Sequence, residues 1–446
     1  MMSLLRRSAF FTVSLLALAA LPGCRQTLEC PDDRVACDGR CVALELDRAH
    51  CGSCGRACGA GEACALGECR SAEVNHCGAE NRACGLGERC EDGRCIAALY
   101  AACFNSDEVQ PASPILAPAG APIEVAPGPV ALAELDGELY VASARPLQAE
   151  KVSRIARDPP QVRAVPLPWG SNATPDIQFM AAHDGYLYVS HASVGKLLVL
   201  TPAGDVVEEH DFVAAGAPNP NPLGLAFAGD RAYVALNARN EVAVLDVSSV
   251  GSCETPPCIE EIARVDVQPL ASPGADALPA RIAIAGERAF VTLWNYQNWS
   301  PPAGSTGRLA VIDLGTNTLD TSADPDGLVD LGAGCLDPAD VAVDGATLWV
   351  TCGAFDASNY PVMRVFAQGI VPIDLSQSPP TAGEILPAPA DAAPGKLAFC
   401  AGGAYVGDRN SGRVFRLDPE AGAIDGAELC PRSNGFAYIA DLACGY

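Results

Sequence analysis

Lysine is almost missing from this chain of 446 residues: Lys151, Lys196 and Lys396 stand against 26 arginines. That imbalance, with abundant Ala, Gly and Pro, reflects the codon usage of a GC-rich genome and carries no functional message. Positive charge is scarce overall. The formal net charge is −25, spread along the chain. No basic stripe is available to displace phosphate counterions, which excludes nucleic acid as a partner. Docking by charge on anionic lipid is excluded on the same ground. Histidine is limited to His50, His76, His183, His191 and His210, and neither Gly-x-Ser-x-Gly nor His-Glu-x-x-His occurs. The usual serine-hydrolase and zincin signatures are therefore absent. From about residue 127 to the end no convincing amphipathic helix can be traced.

Cysteine is plentiful, and its count is odd at 21. The N-terminus explains the odd one. Arg6 and Arg7 precede an apolar stretch from Ala9 to Ala20, and Leu21-Pro22-Gly23-Cys24 follows. This stretch of twelve residues falls short of the ~20 needed to span a bilayer, so residues 1–23 read as an export signal. The junction resembles a bacterial lipoprotein signal, which implies a lipid on Cys24 and a membrane partner through it. Arg25, following the cysteine where Asp is absent, implies the outer membrane. Setting Cys24 aside leaves 20 cysteines, all of which can pair, and export favours disulfides over zinc.

Residues 24–103 form a cysteine-rich module with a duplication inside it. HCGSCGRACGAGEACALGEC (50–69) matches HCGAENRACGLGERCEDGRC (76–95) at an offset of 26, with 12 identities in 20 positions. Cys51, Cys58, Cys64 and Cys69 correspond to Cys77, Cys84, Cys90 and Cys95. Each quartet should close on itself, leaving Cys30, Cys37, Cys41 and Cys54 as a further set, with connectivity open within each set. A zinc site on Cys51-x-x-Cys54 is the rival that export disfavours. The run from Asp38 to Cys69 resembles the stigma-specific Stig1-like repeats that stand next to the anchor of myxobacterial surface lipoproteins. The resemblance implies a rigid extracellular spacer.

Residues 104–126 read as a Pro/Ala linker running into a first strand. From 127 to 446 a looser unit recurs: an apolar strand, a Gly or Asp turn, and a strand ending in aromatic-Val-small. Its aromatics are Tyr140, Tyr188, Tyr233, Phe290, Trp349 and Tyr405, spaced 48, 45, 57, 59 and 56 residues apart. Third strands such as EVAVLDV (241–247) and RLAVIDL (308–314) follow. Periods of this size with three or four strands per unit predict an all-β propeller. The segment Asn434–Ala440 looks like one more inner strand without outer partners, which the stretch around Pro122–Val125 can supply. Seven blades closed by both chain ends are expected, six with an added edge strand being the alternative. YVALNARNEVAVLDV (233–247) resembles YVTN/NHL-type propeller repeats, whose members bind proteins, peptides or carbohydrates, while some are enzymes.

Chain proximity pairs Cys253 with Cys258, Cys335 with Cys352, and Cys400 with Cys430, with Cys103 and Cys444 latching the ends. The loops after the second strands should gather Asn237, Arg239, Trp294, Tyr296, Trp299, Asp408, Arg409 and Asn410 around one mouth. Aromatics beside amides suit sugar stacking or a protein contact. The expected role is thus a lipid-anchored binding platform for an envelope protein or glycan, without cofactor or metal. The competing role is a lactonase-like hydrolase at the same mouth. That would need a Glu with two Asn and an Asp, and Asn237, Asn295 and Asp408 lack the Glu. DTSADPDGLVD (320–330) has the oxygens of a Ca²⁺ loop but no closing bidentate Glu.

Overall fold

The computed structural model describes residues 35–444 except 38–39, 43, 45–49, 59–61, 66–67, 72–88, 92–93, 97–98, 114–115, 120, 146–147, 157–160, 172–175, 214–215, 299, 322–325, 357–363, 401–402, 420–421 and 432–437. Two compact units divide at Val74 and Asn75. The expected signal and lipid site at Cys24, Cys30, and Cys77 and Cys84 of the second quartet lie outside the described residues.

The first unit is made of short hairpins, Val35–Cys37 with Arg40–Val42 and Glu62–Ala65 with Glu68–Ser71. So few large apolar groups cannot hold a fold, and cross-links take over that role at ~2–4 kcal/mol each. Cys37 bonds Cys54, and Cys58 bonds Cys69. Both bridges stay within the sets drawn from the duplication. Cys51 is disulfide-bonded as well.

The second unit is a seven-bladed β-propeller. Six blades are consecutive, with inner strands Pro129–Leu135, Ile177–His183, Pro222–Ala228, Pro279–Ala285, Pro338–Asp344 and Pro394–Cys400 (blades 1 to 6). Each strand pairs antiparallel with the next outward. Blade 7 draws its inner strand, Ile439–Cys444, from the end of the chain. Its three outer strands, Leu99–Cys103, Glu108–Ala112 and Ile123–Glu124, come from near the start of the unit. Every inner strand touches the next, and the seventh touches the first, so the ring has no open seam.

The repeat unit explains how blades stack. The fifth residue of all seven inner strands is alanine: Ala133, Ala181, Ala226, Ala283, Ala342, Ala398 and Ala443. Each stands opposite an aromatic ring on the second strand: Tyr140, Tyr188, Tyr233, Phe290, Trp349, Tyr405 and Tyr100. The small residue makes room for the large one. The rings are at most 5% exposed and pack between neighbouring blades. Truncating one to Ala removes roughly 3–5 kcal/mol.

Three expectations are corrected here. Residues 104–126 are more than a linker into one strand: Ile123–Glu124 supplies an outer strand as expected, but Glu108–Ala112 is a further outer strand of blade 7. The boundary at 103 cuts the wrong place too, since Leu99–Cys103 is the second strand of that blade. The lone inner strand is Ile439–Cys444, shifted from Asn434–Ala440.

The end latch is also rewired. Cys103 bonds Cys430 and Cys400 bonds Cys444, where the opposite partners were expected. Strand register is the cause. Ile439 lies opposite Cys103 while Cys444 lies opposite Leu99. At ~3.4 Å per residue, Cys103 and Cys444 are held at opposite ends of their strand pair. Cys400 and Cys444 instead close corresponding ends of adjacent inner strands. Cys253 bonds Cys258 and Cys335 bonds Cys352.

Candidate functional site at the propeller axis

The third residue of each inner strand defines a ring: Ala131, Phe179, Gly224, Arg281, Asp340, Lys396 and Asp441. Charge alternates through blades 4 to 7. The larger members line a cavity of about 220 Å³ with Leu132, Met180 and Leu397. Lys396 Nζ is 3.3 Å from Asp441 Oδ1 and 4.8 Å from the Phe179 ring centroid. The Arg281 guanidinium lies 5.1 Å from the same ring and donates to the Gln178 carbonyl at 3.2 Å. To reach Gln178 it crosses blade 3, where Gly224 stands. A Cβ at Gly224 would sit 2.5 Å from the Ala280 oxygen and 3.2 Å from Arg281 Cδ. Glycine at this position lets the backbone of blade 4 approach this closely.

The two ring carboxylates also stitch blades together. The Leu397 N–H donates to Asp340 Oδ2 at 2.9 Å and the Leu132 N–H to Asp441 Oδ2 at 2.8 Å.

Loops after the second strands form the rim, and the expected ligand residues there divide by role. Asn237 is 5% exposed; its Nδ2 donates to the Pro279 carbonyl and its Oδ1 accepts from Asn221. Asp408 is fully buried and accepts from the Ala393 and Asn410 amides and the Ser411 hydroxyl. Asn295, 2% exposed, accepts from the Ser272 amide. These side chains satisfy backbone groups between neighbouring elements. Asn237 and Asp408, expected as ligand groups, are engaged here by the Pro279 carbonyl and the Ala393 amide. Asn410 reaches the Asp391 carbonyl from the surface, and Arg239 stands half-exposed at the end of a short 3-10 turn.

Trp294, Tyr296 and Arg409 do come together. The Trp294 and Tyr296 rings are 6.1 Å apart and inclined by 32°. Trp294 rests on Ala192, Leu223 and Ala280 and keeps part of its surface open. Arg409 Nη2 contacts Asp337 Oδ2 at 3.1 Å and the Gly353 carbonyl at 2.8 Å. Burial first, and the nearby Asp337 carboxylate second, push the Tyr296 phenol well above its ordinary value. Tyr438 also lies near Arg409, and its ring meets Phe104 edge-on at 6.0 Å. Trp299 lies outside the described residues. Asp337, Tyr438, Phe179 and the channel charges escaped the sequence reading. The recurrent inner-strand alignment held a signal for the last group, since a charged third residue interrupts an otherwise apolar run.

A wider groove of about 650 Å³ opens at the turns between first and second strands of blades 4 and 5. Its Arg288 is already held by Asp320, so the acidic segment from Asp320 begins as a structural ion pair.

This architecture defines the class: a disulfide-bonded N-terminal unit joined to a seven-bladed propeller. The stigma-specific STIG1-like protein family matches residues 22–72. No curated protein matches the chain. Among solved structures, it is similar to the periplasmic gluconolactonase of Pseudomonas aeruginosa at 16% identity and a TM-score of 0.52, over 79% of this chain and 99% of that one. A Lactobacillus plantarum protein gives 13% identity and a TM-score of 0.53 over 78% and 99%. A putative 6-phosphogluconolactonase from Bacteroides uniformis gives 13% and 0.52 over 78% and 99%. At such identities the likeness is one of fold. Six bridges among the described residues mark a chain that matures outside the reducing cytosol. No helix of the described residues is long and apolar enough to cross a membrane.

Proposed function

We propose that this is an exported envelope protein, anchored at the outer membrane by lipid on Cys24, whose propeller rim binds glycan. The observation that supports this is the cluster of Trp294, Tyr296 and Tyr438 around the Arg409–Asp337 pair. Aromatic faces stack on the C–H surfaces of sugars, while the Arg409–Asp337 pair beneath them holds the cluster in place. The half-buried rings are pre-positioned, so little ordering entropy opposes binding. The Cys-rich unit then acts as a cross-linked spacer between the membrane and the propeller.

Glycan-array binding by the full chain tests the reading. The Trp294→Ala/Tyr296→Ala double variant should lose at least tenfold in affinity while melting as the parent does. Capture of a protein by the same rim, with no glycan bound, would overturn the glycan assignment. The gluconolactonase titles of two similar structures supply the competing enzyme reading. Accelerated hydrolysis of gluconolactone, lost on changing Asp340, would replace a binding role by a catalytic one. Incorporation of labelled fatty acid, abolished in Cys24→Ser, tests the anchor.

A further inference from the structure

Arg281 carries a charge that the channel leaves unmatched. Its guanidinium offers five N–H donors, yet one hydrogen bond, to the Gln178 carbonyl, engages it. No carboxylate among the described residues lies within ion-pairing distance of it, although Arg145, Arg288, Arg409 and Arg413 each have one. Asp340, on the adjacent blade, is turned to the Leu397 amide instead. Lys396 is matched by Asp441 and lies against the same Phe179 ring as Arg281. These groups line one cavity of about 220 Å³. The ring sits two residues below the strand starts, about 7 Å from the rim.

We propose that this cavity is a binding site for a small monoanionic carboxylate. Arg281 takes the carboxylate through its planar fork, Lys396 stays balanced by Asp441, and Phe179 carries the ligand's C–H face. Charge selects against the alternatives. A dianionic phosphate would meet the Asp340 and Asp441 carboxylates, and a neutral sugar would leave the arginine unmatched. Size selects too, because 220 Å³ is below the roughly 300–1,000 Å³ of drug-sized ligand sites. A short hydroxy acid or one uronic acid unit is the scale that fits. The site complements the glycan reading without depending on it.

Calorimetric titration of the full chain with acetate, lactate, gluconate and glucuronate tests the proposal, with glucose and glucose 6-phosphate as controls. At least one carboxylate should bind saturably and better than both controls. Arg281→Gln should weaken that binding at least tenfold. Asp340→Asn keeps an oxygen for the Leu397 amide but removes the nearby negative charge, so it should tighten carboxylate binding and admit the phosphate. A gain of this kind cannot arise from misfolding. Trp294→Ala should leave carboxylate binding intact, which separates this site from the rim. Absence of saturable binding by every carboxylate, equal binding of glucose, or an Asp340→Asn variant that gains nothing would overturn the proposal.

Discussion

The Leu132 amide donates to Asp441 Oδ2 at 2.8 Å across 309 residues of sequence, joining the first inner strand of the ring to the last. Asp340 makes the same bond to Leu397 between blades 5 and 6. The propeller thus uses a ring-facing aspartate to satisfy a backbone donor that ladder pairing does not reach. At blade 7 this contact coincides with the closure, and Asp441 additionally balances Lys396.

Asp441→Ala should therefore destabilise the fold by about 3–5 kcal/mol, since it strands both a buried N–H and a buried ammonium group. Asp441→Asn, which still offers an oxygen to Leu132, should cost less. Urea unfolding of the two variants checks this, and equal losses would count against the stitch.

The latch disulfides give a second expectation. A non-reducing peptide map should join the Cys103 peptide to Cys430 and the Cys400 peptide to Cys444. The Cys103→Ser/Cys430→Ser pair should lose ~2–5 kcal/mol, at the high end because the bridge closes 327 residues. Recovery of a Cys103–Cys444 peptide would show the register to be wrong.

Acid should weaken the propeller through His210. Burial holds its pKa below the ordinary 6.5, against the opposing pull of Glu261, Glu208 and Asp211. The ring packs against Phe212 at 4.8 Å. Above pH 6.5 the imidazole is neutral in folded and unfolded chains alike and contributes no slope. As pH falls from 6.5 through the folded value, the unfolded chain binds the proton more readily, and stability declines. His210→Phe should flatten that part of the stability–pH curve. An unchanged slope would place its origin elsewhere.

Asn237→Ala and Asp408→Ala should behave as stability variants. Each removes the partner of buried backbone groups and should cost about 1–3 kcal/mol. Glycan and carboxylate binding, measured below the melting transition, should stay at the parent level. Loss of binding without loss of stability would restore them as ligand contacts.

Much of the ring was legible because packing between blades repeats a local requirement. Alanine opposite an aromatic side chain recurs at every blade, so six copies could be aligned from sequence. The seventh was visible too. Leu99-Tyr100-Ala101-Ala102-Cys103 matches Leu139-Tyr140-Val141-Ala142-Ser143, with Tyr100 opposite Ala443. It was hidden by Cys103, which looks like the last cysteine of the preceding module. Among the rim residues, the structure brings Trp294, Tyr296 and Arg409 together and spends Asn237 and Asp408 on neighbouring backbone groups. An Asn or Asp in a loop reads the same whether it meets water or a neighbouring blade's carbonyl.

Sequence alone determined the chemistry of each segment: an apolar N-terminal stretch, a cysteine-rich module made for cross-links, and strands whose alternation and turns favour sheets. It also pointed to a closed ring, since each repeat must bury its own aromatic ring against a neighbour, but left six or seven sheets open. Which cysteines meet, and which charges share the axis, were decided only in three dimensions. Strand register sets those distances, and residues 281, 340, 396 and 441 come together because seven separate strands turn the same position inward.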